Sequence, residues 1–248
     1  MADPASPRVV LVTGASRGIG HAAALALARE GAHVIALART QGALEALDDD
    51  IRAMGGSATL VPLDLADHDA LDRLGGSIHE RWGRLDGLLG NAALLGPISP
   101  LPHVSPKQFA DVFAVNVTAN FRLIRSLDPL LRAAPAGRAV FVTSVVSSRA
   151  ATRAYWGLYA SSKAALDLLA RTYAAETVTT AVRVMLVNPG AMRTRMRAAA
   201  MPGEDPTTLP TPEDLAPKLL RLLAAEWTET GKLYDFPTDR VLSFRDPA

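Results

Sequence analysis

The sequence contains no cysteine, which removes disulfides, thiol nucleophiles and thiolate-ligated metals together. Its five histidines, His21, His33, His68, His79 and His103, are scattered without ligand spacing, so no metal site is expected. Excess charge is also missing. The 26 Lys and Arg against 25 Asp and Glu leave a formal charge of +1, and no basic run is long enough to track a phosphate backbone. A nucleic-acid partner is therefore not expected. No apolar segment approaches the length of a membrane span, and residues 1–8 lack the basic start and apolar stretch of a secretory signal. The expected location is the cytoplasm, with no membrane partner.

What is present is a large hydrophobic fraction, 49% of 248 residues, with Ala, Leu and Val spread over the whole length. That is enough for one open α/β domain. Short β-branched or apolar runs at 8–13, 33–38, 58–63, 85–90, 138–144, 182–188 and 232–236 read as strands. They alternate with helical stretches at 19–29, 42–54, 67–82, 106–132, 159–177 and 212–225. Strands that are continuously apolar are buried on both faces, which implies a parallel sheet covered by helices on both sides. The expectation is a single Rossmann-type, doubly wound domain over 1–248 with about seven strands. Residues 1–7 form a flexible start, 191–212 a substrate lid and 238–248 a tail. Ligands of such sheets bind at the carboxyl ends of the strands, where strand order reverses.

The turn Thr13-Gly14-Ala15-Ser16-Arg17-Gly18-Ile19-Gly20 stands between the first strand and the first helix. Glycines there let the backbone approach a pyrophosphate, and the helix start offers unpaired N–H groups. A tight turn with nothing bound has the same glycines; the strand before and the helix after favour the dinucleotide. The second strand ends Leu37-Ala38-Arg39-Thr40, without the carboxylate that selects the ribose of NAD. Arg39, with Arg17 beside it, therefore favours the extra phosphate of NADP(H), although either arginine also fits an ordinary solvated charge.

Tyr159 and Lys163 stand four apart at the start of a helix, on one face. A phenol has a pKa of about 10, and lowering it by about 3 units takes roughly 4 kcal/mol. One ammonium at ~4 Å with an effective dielectric of ~20 supplies about that much.

Together these residues resemble the short-chain dehydrogenases/reductases, over about residues 8–237. The resemblance rests on the glycine turn, Asp64 after the third strand, Asn91-Ala92 after the fourth and Asn116 in the middle helix. It continues through Ser144 after the fifth strand, the Tyr159/Lys163 pair, and Asn188-Pro189-Gly190 followed by Thr194. It implies an NADP(H)-dependent oxidoreductase acting on a carbonyl or secondary alcohol. Gly14, Ser16, Arg17, Gly18, Ile19 and Gly20 would hold the phosphates, and Asp64, with Leu65 beside it, would bond the adenine amino group. Asn91 and Ala92 would shape the cleft. Pro189, Gly190 and Thr194 would hold the nicotinamide end. Ser144 would bond the substrate carbonyl, Tyr159 would transfer the proton, Lys163 would also grip the ribose, and Asn116 would anchor a water in a proton relay. A homodimer or homotetramer built through helices 106–132 and 159–177 is the family expectation.

The pattern departs from the family in places. Gly90-Asn91-Ala92-Ala93 replaces Asn-Asn-Ala-Gly, and Gly231-Lys232-Leu233-Tyr234-Asp235-Phe236-Pro237 replaces a glycine-rich end. The distance from Ser144 to Tyr159 is longer than usual, which leaves Ser147 and Ser148 open as the active hydroxyl. Tyr155 reads as a pocket wall, with Leu94, Leu95, Trp156 and Met196 as apolar lining. Arg193, Arg195 and Arg197 read as a solvated lid or as partners of an acidic group. A regulatory protein that binds NADP(H) without chemistry is the alternative reading. A nucleotide-sugar epimerase would need a further substrate domain.

Overall fold

The computed structural model describes residues 7–148 and 153–244. It shows one sheet in the order β3-β2-β1-β4-β5-β6-β7-β8. Its strands are β1 (Val9–Thr13), β2 (His33–Ala38), β3 (Ser57–Pro62), β4 (Gly87–Gly90), β5 (Arg138–Val142), β6 (Arg183–Asn188), β7 (Lys232–Asp235) and β8 (Arg240–Leu242). The first seven run parallel, and β8 pairs antiparallel with β7. The class is the doubly wound α/β sheet read from the sequence. The strand count is one higher than expected, because residues 240–242 of the expected tail turn back on β7 through a left-handed Asp239 at φ 51°. The expected flexible start lies outside the described residues except for Pro7 and, in the tail, so do 245–248.

Alternation along each strand builds two cores. Val9 and Leu11 of β1 face a cluster completed by α3 (His68–Trp82), α5 (Ala119–Ala133) and α7 (Gly157–Glu176), including Leu71, Leu127, Leu166 and Tyr173. Val10 and Val12 face the opposite cluster, completed by α1 (Gly18–Arg29), α2 (Gln41–Ala53) and α9 (Pro212–Leu223), including Leu27, Leu47, Ile51 and Leu219. Each of these fully buried side chains contributes roughly 1.5–3 kcal/mol.

The helix expected over 106–132 is interrupted. It runs as α4 (Pro106–Phe113), then a π-helical turn over Ala114–Thr118, then α5. A π turn offsets the backbone by one residue and is common at functional sites; here it carries Asn116. Strand β4 begins at Gly87 rather than at 85, since Leu85 N–H is spent on the Leu130 carbonyl at 3.1 Å, outside the ladder. The excursion 191–212 contains a short helix, α8 (Arg195–Ala200). Another, α6 (Val145–Ser148), follows Ser144. Strand order reverses between β1 and β4, so the loops after these two strands meet at the carboxyl edge.

Candidate active site

A cavity of about 680 Å³ opens at that edge, walled by the loops after β1, β2, β3, β4, β5 and β6 and by α8. Its floor is the glycine turn. Gly14 and Gly18 adopt φ of +68° and +57°, the left-handed region that glycine enters freely. The N–H groups of Gly14 and Ala15 both donate to the Leu37 carbonyl, at 2.8 and 3.2 Å, which ties the turn to the end of β2. Gly20 serves packing instead: a Cβ there would stand 2.4 Å from the Gly14 carbonyl oxygen.

Helix α1 starts at Gly18 with no side-chain cap from Arg17 and no acidic residue in its first turn. Its leading N–H groups are thus left with their partial positive charge, and Ser16, Arg17, Gly18 and Ile19 line the cavity in front of them. This cradle fits a pyrophosphate. Asn91 closes it from β4, donating from Nδ2 to the Thr13 carbonyl at 2.9 Å, while the Asn91 and Ala92 N–H groups donate to Thr13 Oγ1 at 2.9 and 3.1 Å.

At one end of the cavity stand Arg39, Thr40, Asp64 and Leu65. Arg39 and Asp64 form an exposed ion pair at 3.7 Å, an arrangement that contributes little to stability and leaves the guanidinium open to another anion. Thr40 had no assigned role in the sequence. A threonine before a helix reads as an N-cap, yet its hydroxyl makes no cap bond to α2, and Thr40 lines the cavity beside Arg39.

At the other end stand Ser144, Tyr159 and Lys163, with Pro189, Gly190 and Thr194 opposite. Burial pushes the Tyr159 phenol up to about 12, a rise that a hydrogen bond with Ser144 opposes and the Asp167 carboxylate reinforces. Burial likewise lowers Lys163 to about 8, against the pull of Asp167. The Lys163 ammonium donates to the Val142 carbonyl at 2.8 Å and lies 5.9 Å from the Tyr159 ring centre. Burial, which the sequence argument did not weigh, disfavours the charged form of both groups.

Of the sequence-read site residues, Gly20 and Asn116 lie outside the cavity wall. Asn116 is fully buried. Its Nδ2 donates to the Leu94 carbonyl and to Ser162 Oγ, both at 2.9 Å, and its Oδ1 accepts from Leu94 N–H at 2.8 Å. Both amide N–H bonds are thus spent on stapling the loop after β4 to α7. Ser147 is likewise outside the wall; its hydroxyl contacts Asp167 Oδ2 and the Ser144 carbonyl, each at 2.6 Å. The Ser148 side chain lies outside what is described. Tyr155 is a correction: φ of 72° and a bond from Ser99 N–H to its carbonyl at 3.0 Å turn it outward, leaving it 58% exposed and off the wall. Trp156 lines the cavity instead, edge-on to Tyr159 with ring centres 6.2 Å apart. Leu94, Leu95, Met192, Met196, Ala199 and Ala200 complete an apolar side.

The three arginines of the excursion 191–212 differ in their partners. Arg193 donates to the carbonyls of Pro206, Thr207 and Leu209, and Arg197 grips Glu204 with two bonds of 2.5 Å. Both hold the excursion together. All three line the cavity, and Arg195, exposed, makes no such bond to the described residues of the excursion. Among the described residues no group of His, Asp and Glu is arranged to hold a metal, and no helix is long and apolar enough to cross a membrane.

Sheet order, glycine cradle and a buried Tyr-Lys pair beside it define a dinucleotide-binding protein of the Rossmann class. A short chain dehydrogenase family model matches residues 8–205, and the chain belongs to that family. The uncharacterized oxidoreductase YciK of Escherichia coli K12 is 39% identical over 237 residues, covering 94% of this chain and 93% of its own. A short chain dehydrogenase from Pseudomonas syringae superposes with a TM-score of 0.88 at 41% identity, covering 95% and 99% of the two chains. Another, from Shigella flexneri 2a in complex with NADP, superposes with 0.87 at 40% identity, covering 92% and 96%.

Proposed function

We propose that this chain is an NADP(H)-dependent oxidoreductase that interconverts a carbonyl compound and a secondary alcohol. The observation that carries the reading is the convergence of Ser144, Tyr159 and Lys163 on one wall of the cavity whose floor is the uncapped start of α1. The NADP complex of the Shigella flexneri relative supports the cofactor, and Arg17, Arg39 and Thr40 supply the donors that a 2′-phosphate needs. The cofactor, when bound, supplies or accepts the hydride. The protein's own part is proton transfer and positioning. Ser144 donates a hydrogen bond to the carbonyl oxygen, and Tyr159, protonated through the neutral range, delivers its proton there. Lys163 holds positive charge close to the phenolate that remains. Thr194 and the Pro189-Gly190 turn fix the nicotinamide end, and Gly190 lets Pro237 approach to where a Cβ would sit at 2.6 Å. Leu94, Leu95, Trp156 and Met196 give the substrate side an apolar lining, which favours bulky apolar ketones over sugars.

The homo-oligomer belongs to the same proposal. α7 buries Leu166 and Tyr173 against the sheet while Leu168 is 61% exposed, and Phe109 on α4 and Phe121 on α5 are each 46% exposed. A second copy would cover these faces. The cytoplasm is the proposed location.

The test is NADPH oxidation over a panel of ketones and aldehydes, with Tyr159→Phe as control. Turnover that Tyr159→Phe lowers by at least ~100-fold is expected for loss of a general acid. Tight NADPH binding without turnover of any compound would instead support a regulatory NADP(H)-binding protein.

A further inference from the structure

Asp167 is 6% exposed, one helical turn beyond Lys163 on α7. No catalytic step proposed above uses it, yet both of its oxygens are engaged. Thr143 Oγ1 donates to Oδ1, and the Ser147 hydroxyl meets Oδ2 at 2.6 Å. Thr143 and Ser147 also touch each other, at 3.0 Å. They stand on either side of Ser144: Thr143 directly before it at the end of β5, Ser147 three residues after it with its N–H donating to the Ser144 carbonyl at 3.1 Å. The chain that presents Ser144 is therefore fastened before and after that residue to one carboxylate, and this carboxylate rides on the helix that carries Tyr159 and Lys163.

We propose, building on the oxidoreductase reading, that Asp167 is the positioning residue of this centre. It fixes the Ser144 loop against α7 through Thr143 and Ser147 and sets a negative charge beside the buried Lys163 ammonium. The arrangement sorts the two serines. Ser147 is held on the carboxylate, out of the cavity, and Ser144 is left as the hydroxyl of this turn that meets Tyr159. It also addresses an electrostatic problem. Lys163 is 1% exposed and meets only a neutral carbonyl on β5; burial disfavours its charge, and Asp167 is the charged group that opposes this. The charged groups acting on Asp167 are Lys163 and Arg171, both on α7, while β5 and α6 present to it the uncharged Thr143 and Ser147. Burial pushes the Asp167 carboxyl above its ordinary range, and the Ser147 and Thr143 hydroxyls and the charges of Lys163 and Arg171 oppose that rise.

Two measurements test it. The chain has four lysines, Lys107, Lys163, Lys218 and Lys232, so the Lys163 ammonium can be titrated by NMR in protein labelled at lysine, its signal assigned with Lys163→Met. In Asp167→Asn the Lys163 midpoint is expected to fall by about one unit, a tenfold change. An unmoved midpoint overturns the electrostatic part, and this readout needs no substrate. For the clamp, Thr143→Val with Ser147→Ala removes the donors and keeps the carboxylate. The expectation is a kcat lowered about tenfold with the NADPH dissociation constant unchanged, as misplacement of reacting groups requires. An unchanged kcat, or a parallel loss of NADPH binding, overturns the clamp. Should the wild type turn over no carbonyl compound, the oxidoreductase reading fails while the Lys163 titration still decides whether Asp167 governs that ammonium. Should Asp167→Asn fail to fold, Asp167→Glu replaces it: a longer carboxylate that leaves the Lys163 midpoint high supports the charge, and a fall like that of a neutral residue overturns it.

Discussion

The Asn91 side chain occupies the space that a larger residue at Gly20 would claim: its Nδ2 stands 2.6 Å from where a Cβ would sit, while it donates to the Thr13 carbonyl at 2.9 Å. The loop after β4 and the glycine turn after β1 therefore form one unit at the point where strand order reverses. The single amide left of the family's Asn-Asn pair keeps this contact. In Gly20→Ala the new Cβ meets both that amide and the Gly14 carbonyl, 2.4 Å away, and the backbone carbonyl has no rotamer by which to withdraw. The expected result is at least ~10-fold weaker NADPH binding, measured by nucleotide fluorescence, together with about 1–3 kcal/mol of lost stability from overpacking.

Cofactor preference is a separate prediction, because it rests on the other end of the cavity. Arg39 is already 3.7 Å from Asp64, so a 2′-phosphate competes with a weak exposed pair and the guanidinium need only swing toward it. Replacing Arg39 with alanine is expected to weaken NADPH by roughly 10- to 100-fold, the size of one or two charge-assisted bonds, with NADH affinity nearly unchanged. Thr40→Val is expected to cost NADPH a smaller factor in the same direction. An Arg39→Ala protein that binds both cofactors as before would remove the phosphate account.

The longer interval between Ser144 and Tyr159 left Ser147 and Ser148 beside Ser144 as candidates for the active hydroxyl, and the structure places Ser144 and Ser147 differently. Ser144 lines the cavity with Tyr159, whereas Ser147 lies outside its wall, its hydroxyl 2.6 Å from both Asp167 Oδ2 and the Ser144 carbonyl. Ser144→Ala is expected to lower kcat by at least ~100-fold, as loss of a donor aimed at a developing oxyanion does. Ser147→Ala alone is expected to lower it by less than ~10-fold. The reverse order in steady-state kinetics would reassign the active serine.

These outcomes show which layers were legible in the residues. The short apolar segments specify the sheet, because a strand buried on both faces, as Val9 to Thr13 is, is apolar over nearly its whole length. The phosphate cradle was equally visible, since a glycine is the residue that can stand 2.4 Å short of a carbonyl. Thr40, Tyr155 and Asp167 were not. Their roles depend on a hydroxyl that fails to cap, a positive φ, and a contact between residues 20 and 24 positions apart; none of these leaves a local pattern. The eighth strand was missed because Arg240–Leu242 is short, half exposed and supported by a single neighbour.

The buried pair also sets a dependence of stability on pH. The Lys163 ammonium is held at about 8 in the folded chain by burial and returns to about 10.5 when unfolded. Between these values the unfolded chain binds more protons than the folded one, so the Lys163 contribution makes stability rise with pH. Below pH 8 the whole penalty of burying the charge is present; by pH 10 most of it is relieved. Tyr159 acts oppositely and higher. Its phenol stays protonated to about 12 when folded but ionises near 10 when unfolded, so its contribution is lost as pH rises from about 10 to 12. Urea unfolding of the wild type and Lys163→Met at pH 7 to 10 isolates the first effect, because the other titrating groups cancel in the difference. Relative to Lys163→Met, the wild type is expected to gain about 2–3 kcal/mol over this interval. A flat difference would mean that the Lys163 ammonium is not desolvated in solution, and the cavity would then be wetter than its apolar walls imply.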